Sequence, residues 1–428
     1  MRRSGALTLG VVLTLGGVTG GRGQELSGSL VAANPPSSGA FALPTLPENW
    51  ADLPFTLSAS QTVSYNSNVN GIPVGFALPG QVVGDFTTTT NVGFSTKANV
   101  YDQQTYLNAS FGLIRYLHEA EFNSDIYTLS AGVNWRLTSR CSGNLGVTLD
   151  KSPVEITASI VGTGVNYGTT TAFNETGTCE VSNGFSLLFN AGWTELTNSN
   201  PVDALNNTRT TMISAGIEYA KGASTVTALA SNSNDIFNRG AAVNVNTTGL
   251  SDVADFHSFT LAYSRQINPN LSVNGLIGLV GTTNAFALGL PKTLLPIYTI
   301  GMSWAFTPKL TLNGSASKTI AAPTTVVANA QTTWLAQTSL TYQLTPKVGV
   351  NVGGSISYAT GAFTPAAVTN LALNLTGASN FYGVNAGLTY AMTPFLSAAL
   401  NASYTERVTD HTITPEDLVI VSLRYNPF

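Results

Sequence analysis

"FTPKLTLN", residues 306–313, runs from an aromatic residue through threonine, proline and lysine into strict alternation of apolar and polar side chains. The cadence returns as "INPNLSVN" (267–274), "LTPKVGVN" (344–351) and "MTPFLSAALN" (392–401), with prolines at Pro269, Pro308, Pro346 and Pro394. Their spacings, 39, 38 and 48 residues, are too uneven for a strict solenoid and too long for one hairpin of a small barrel. The flanks "PIYTIGMSWAF" and "LTLNGSASKTI" are each about eleven residues, the length of a tilted strand that crosses a bilayer. The strands of a propeller blade are about half as long. Each proline therefore marks a short reversal between two long strands, where no ladder N–H is needed and a fixed φ helps.

Composition points the same way. Of 428 residues only 9% are charged while 43% are hydrophobic, against about 25% charged in ordinary soluble domains. Ser, Thr, Asn and Gly take the place of the missing charge, and mean hydropathy is only +0.16. Such a chain hides its outer surface or presents it to something other than water. A net charge of −4 excludes the basic stripe that nucleic acid requires.

The N-terminus reads as processing sequence. Arg2 and Arg3 precede "GALTLGVVLTLGGV" and then small residues to Gly23. This is a positive segment followed by a short apolar one, so residues 1–23 are expected to be a cleaved secretory signal. Residues 24–54, rich in Pro and Ser without a period, are expected to be a periplasmic tail. Residues 55–428 then form the barrel, and about thirty residues of tail are too few for a folded plug.

The second half of the chain alternates plainly. In "VGVNVGGSISY", Val348, Val350, Val352, Ile356 and Tyr358 oppose Gly349, Asn351, Gly353, Ser355 and Ser357. A soluble sandwich would carry charge on its outer face, and here the polar face is mostly uncharged Ser, Thr, Asn and Gly. The expectation is an apolar surface toward lipid and a polar surface toward a wet lumen. Tyr263, Phe306, Tyr342 and Tyr390 lie just before the four prolines, whereas Tyr358 and Tyr404 lie at the far strand ends, as two interfacial belts require. Long loops near 68–85, 198–207, 235–255 and 361–379 alternate with short turns. The fold expected is all-β: a transmembrane antiparallel up-and-down barrel of about 18 strands, with 16 as the alternative, short periplasmic turns and longer extracellular loops.

The chain ends in "LVIVSLRYNPF", an amphipathic strand with Tyr425 and a terminal Phe428. This resembles the C-terminal assembly signal of bacterial outer-membrane barrels, although Pro427 throws Phe428 off the phase of Tyr425. The Pro-rich tail with "FTLSASQTVSYNSNVN", the hairpin "WRLTSRCSGNLGVTLD" and the "TPKLTLN" turns together resemble the beta-barrel porin 2 group of proteobacterial outer-membrane proteins. The resemblance spans roughly residue 50 to the end, and its motifs mark architecture rather than chemistry. It implies residence in the outer membrane of a Gram-negative bacterium, with outer-membrane lipid and the barrel-assembly machinery as partners. Some similar barrels belong to exopolysaccharide secretion loci, which adds periplasmic polysaccharide-export proteins as expected partners.

Individual residues carry less. The strand map places Cys141 at the start of one strand and Cys179 at the end of its neighbour, so a disulfide is expected in the oxidising periplasm. His118, His257 and His411 are far apart, and adjacent His257 and Ser258 point to opposite faces of one strand. No Gly-rich phosphate loop, HExxH or paired-carboxylate pattern occurs, so no catalytic residue, metal or cofactor is expected. The Asn-x-Ser/Thr sequons at Asn108 and Asn401 fall within strands. Arg136, Asp150, Glu218, Arg407 and Arg424 lie on the polar phase and are the expected lumen-lining charges of a constriction. A weakly charged lumen suits a channel for polar solutes such as saccharides. The alternatives are the exit component of an exopolysaccharide pathway and a surface anchor or adhesin-like barrel.

Overall fold

A computed structural model describes residues 55–69, 75, 83–154, 166–199, 207–237, 253–282, 294–321, 328–363, 378–409 and 413–426. The expected signal and tail, His411 and Phe428 lie outside these residues.

Eighteen strands follow one another along the chain. They are β1 (Phe55–Asn66), β2 (Asp85–Val100), β3 (Gln103–Tyr116), β4 (Ser124–Arg136), β5 (Cys141–Val154) and β6 (Asn166–Ser182). Next come β7 (Phe185–Asn198), β8 (Thr208–Lys221), β9 (Ser224–Phe237), β10 (Val253–Asn268), β11 (Leu271–Thr282) and β12 (Leu295–Thr307). The last six are β13 (Leu310–Ala321), β14 (Ala328–Thr345), β15 (Val348–Phe363), β16 (Ala378–Ala391), β17 (Leu396–Thr409) and β18 (Ile413–Tyr425). Each pairs antiparallel with its neighbours in sequence, and β1 also pairs with β18, so the sheet closes. Ala59 sits between Val92 of β2 and Tyr425 of β18. Closure leaves no strand edge to donate into hydrocarbon, the condition for a sheet in lipid.

The repeated phrase is a turn device. Its Thr or Asn, just before the proline, accepts backbone N–H groups from beyond it. Thr345 Oγ1 accepts from Lys347 (3.2 Å) and Val348 (3.1 Å), and Thr393 Oγ1 accepts from Phe395 (3.2 Å) and Leu396 (3.0 Å). Thr307 Oγ1 accepts from Lys309 at 3.2 Å, and Asn268 Oδ1 from Asn270 at 2.9 Å. The side chain thus satisfies donors that the reversal takes out of the ladder. At three of the turns the register slips by one residue, leaving Ile267, Phe306 and Leu344 as bulged, exposed apolar residues at the rim. "LTSRC" (137–141) uses the same bonds without a proline: Thr138 Oγ1 accepts from Arg140 (3.2 Å) and Cys141 (3.0 Å). The proline pre-sets the turn, but the hydroxyl ties it.

Register assigns every strand residue to one of two faces. Val63, Val92, Val147, Ile213, Ile277, Ile300, Val352 and Val421 are exposed on one phase, whereas Thr210, Ser214, Asp235, Thr260, Ser357 and Thr405 are buried on the other. The first phase is the outer wall and the second the enclosed face. Tyr263, Phe306, Tyr342, Tyr390, Tyr358 and Tyr404 all stand on the outer wall. Ring pairs Trp304–Phe306 (3.8 Å) and Phe185–Tyr219 (4.5 Å) join the belt at the short-turn end, and Tyr65–Phe86 (4.9 Å) and Trp334–Tyr358 (5.3 Å) the belt at the other.

One row of the outer wall explains two glycines. Trp135, Gly143, Gly177 and Phe189 are consecutive cross-strand partners on β4 to β7. The two rings fold over the glycines and stack with centroids 6.2 Å apart. A Cβ on either glycine would fall inside the overlying ring.

Two outcomes follow from this packing. Gly177→Ala is expected to displace Phe189 and lower stability by about 1–3 kcal/mol, read from urea unfolding in detergent against a surface control. Thr345→Ala, which strands two rim N–H groups without touching either face, is expected to lower it by about 1 kcal/mol, with an unchanged strand signal in circular dichroism.

Candidate functional site: the enclosed face

The enclosed face is built from hydroxyls, amides and glycine. Alternation puts these residues inward on every strand, and register then sets them side by side. Ser95, Asn108 and Ser130 form one hydrogen-bonded row: Ser95 Oγ donates to Asn108 Oδ1 (2.6 Å), and Asn108 Nδ2 donates to Ser130 Oγ (3.3 Å). Asn144 Nδ2 donates to Asn134 Oδ1 (2.8 Å), and Asn190 Nδ2 to Ser214 Oγ (2.8 Å).

The asparagines have a pattern. Asn108, Asn144, Asn190, Asn274, Asn313, Asn351 and Asn401 each stand three or five residues into a strand that rises from a short turn. All are on the enclosed phase, so they form a band near the short-turn mouth of the barrel. Several face glycine directly. Gly387 lies between Asn351 and Asn401, Gly301 opposite Asn274, Gly353 opposite Asn385, and Gly112 opposite Asn91. A Cβ on Gly387 would meet both amide oxygens. The amides therefore lie flat across the neighbouring backbone rather than standing into the lumen.

Charges are scattered over two ends. Arg136, Glu218 and Arg424 are near the short-turn mouth, on β4, β8 and β18; Asp150 and Arg407 are near the opposite mouth, on β5 and β17. All five share the phase of the asparagines, but the structure does not bring them into one ring. Asp150 accepts from Thr128 Oγ1 (2.7 Å) and Ser152 Oγ (3.1 Å), and Glu218 from Thr227 Oγ1 (3.4 Å). Arg424 Nε donates to Asn426 Oδ1 at 3.3 Å. Arg407 stacks over Phe381, 5.4 Å from the ring centroid, with its Nε buried and lacking a hydrogen bond.

Sequence reasoning passed over several residues of this face. Lys97, Asp235 and Glu416 also point inward, and Asn66 Nδ2 donates to Glu416 Oε1 at 2.7 Å. Glu416 was within reach, because stepping back by twos from Arg424 and Ser422 arrives at it. Asn108 and Asn401 were noticed only as sequons; the signal that groups them with the band is the asparagine closing each repeated phrase.

At the long-loop rim, Asp85 is buried and accepts four donors. They are the backbone N–H groups of Phe86 (2.7 Å), His118 (3.0 Å) and Glu119 (2.9 Å), and His118 Nδ1 at 2.9 Å. It clamps the connection between β3 and β4, which contains a single 3₁₀ turn at Ala120–Phe122. Glu119 in this connection has its carboxyl pushed up, first by desolvation and then by its hydrogen bond to and repulsion from Glu121. His118 is thus part of a structural clamp. His257 is exposed on the outer phase, whereas Ser258 faces inward and meets Ser231 Oγ at 2.5 Å.

Cys141 and Cys179 are directly opposed on β5 and β6 and joined as a disulfide, with Cα atoms 4.1 Å apart. The bond sits at the short-turn rim on the outer phase. A thiol titration of the purified, unreduced protein is expected to find no free thiol before reduction and two after it.

No protein-family model matches the chain, and no curated protein matches it significantly. Among solved structures, the apoprotein of the FrpB iron transporter from Neisseria meningitidis (F5-1 variant) superposes with a TM-score of 0.53 at 10% identity, over 83% of this chain and 62% of that one. OccK2 (OpdF) from Pseudomonas aeruginosa, in complex with glucuronate, gives 0.47 at 13% identity over 88% and 99% of the two chains. The outer membrane protein opdK from the same organism gives 0.46 at 11% identity over 87% and 99%. The chain spans less than two thirds of the FrpB transporter it matches. What the FrpB likeness shows is the fold, a closed antiparallel β-barrel.

Proposed function

We propose that this barrel is an outer-membrane channel that passes polar, weakly charged solutes such as saccharides by diffusion through its lumen. The observation that carries the reading is the enclosed face: a band of asparagines among Ser, Thr and Gly, with few charges and those divided between two mouths. Amides and hydroxyls exchange hydrogen bonds with a hydroxyl-rich solute without the strong field that sorts ions. Barrels of sixteen to eighteen strands are too wide for wall side chains to fill. Mean exposure to lipid on one face and water on the other accounts for a chain that is 9% charged.

The finer points belong to the same proposal. Residues 1–23 direct export and are removed, residues 24–54 lie in the periplasm, and the protein belongs to the beta-barrel porin 2 group that its tail, turns and end resemble. Tyr425 stands on the outer phase of β18, opposite Ala59 and Leu396, where the assembly machinery is expected to read the last strand. The turns at Pro269, Pro308, Pro346 and Pro394 then face the periplasm, and the loops bearing Asp85 and His118 face outward.

Single-channel conductance of the refolded protein in planar bilayers tests the channel. Steady steps that neutral sugars reduce, up to a size limit, are the expected result; silence from a correctly folded barrel overturns open diffusion. Replacing Asn351 and Asn401 together by Asp adds two negative charges to the band. The reversal potential in a salt gradient is expected to move toward cation selectivity, and an unchanged potential would remove the band from the conduction path.

A further inference from the structure

The outer wall is not uniform. From β11 to β18 its positions between the two aromatic belts are Val, Ile, Leu, Met, Ala and Gly, with Thr338 the one hydroxyl among the described residues. From β1 to β9 the same zone carries Gln61, Thr88, Thr90, Thr171, Glu175 and Asn232. Gln61 lies between the ring pairs Phe55–Phe94 and Tyr65–Phe86, and Glu175 between the Trp135–Phe189 stack and the Phe173, Trp193 row. Gln61 is therefore at mid-wall, and Glu175 stands on the outer phase between two adjacent aromatic rows.

Neither group is satisfied. Thr90 Oγ1 donates to Gln61 Oε1 at 2.6 Å, which leaves the Gln61 amide N–H groups without a partner among the described residues. The Glu175 carboxyl, flanked by Leu145 and Ala191, has no hydrogen-bond or ion-pair partner among them either. Hydrocarbon supplies neither donors nor acceptors, so these two positions are unsuited to lipid.

We propose that the β1–β8 side of the wall is an interface between copies of this chain, with Gln61 of one copy donating to Glu175 of the next. The two orphan groups are chemical complements, an amide donor and a carboxylate acceptor, so a second copy satisfies both. They stand on β1 and β6, five strands apart of eighteen. Five of eighteen strands is about 100° of the circumference, and a head-to-tail contact between faces so placed closes into a ring of about four or five copies. The apolar wall from β11 to β18, broken only by Thr338 among the described residues between the belts, faces lipid in such a ring. The inference rests on the outer wall and holds whether or not the lumen conducts.

The test uses the full chain in isolated outer membranes. With Cys141 and Cys179 already joined, the double variant Gln61→Cys, Glu175→Cys offers the only free thiols. Mild oxidation is expected to yield covalent multimers up to four or five chain masses, absent from each single variant. Glu175→Leu suits a lipid-facing position and leaves the fold intact, which heat-modifiability checks. It is expected to convert the native-mass-spectrometry oligomer to single chains. A single-chain mass for the unmodified protein in both detergent and lipid nanodiscs overturns the proposal. So does an oligomer that Glu175→Leu leaves unchanged, or a cross-link to a different polypeptide.

Discussion

The ladder between β1 and β18 is the contact on which the rest depends. Every strand in a bilayer must find partners for its backbone on both sides, and in this chain only the first and last strands must find one across the whole sequence. The eight pairs from Ala59–Tyr425 to Asn66–Leu418 close the wall. Once closed, the sheet has an inside and an outside, and alternation acquires meaning: one phase forms the outer wall and the other is enclosed. Without that ladder the same strands would expose two unpaired edges, and no choice of side chains on the faces would repair them.

Closure also sets what the enclosed face can be. Adjacent inward side chains on antiparallel partners stand about 5 Å apart, so a wall of large polar groups would crowd itself. The chain resolves this by opposing asparagine with glycine, as at Gly387 between Asn351 and Asn401. The amide lies over bare backbone, and the lumen keeps its width. The outer wall uses the reverse device with larger groups, since Trp135 and Phe189 cover Gly143 and Gly177 and fill what would be a trough in the lipid-facing surface.

Much of this architecture is legible in one dimension because its causes are local. Strand length follows from membrane thickness, face from period two, and turn position from a Thr or Asn whose side chain bonds N–H groups two and three residues away. That is why the alternating second half and the four proline turns could be read directly, and the number of strands to within one hairpin. The fifth tie, at Thr138, has no proline to mark it in the sequence, and the hydroxyl makes the same bonds without one. The charged residues could be given a phase one by one, yet their division between two mouths was invisible, since height in a tilted barrel depends on the stagger accumulated strand by strand.

By itself, then, the sequence determined an antiparallel barrel of long strands with a sparsely charged polar face, two aromatic belts and short turns at one end. The tertiary structure alone decided which residues become neighbours across strands: asparagine over glycine, ring over glycine, Cys141 against Cys179, Asp85 under the β3–β4 connection. It also isolated Gln61 and Glu175 on the outer wall. The physical reason is that phase repeats every two residues and needs no partner, whereas register is a relation between segments tens to hundreds of residues apart. It exists only when the ladder closes.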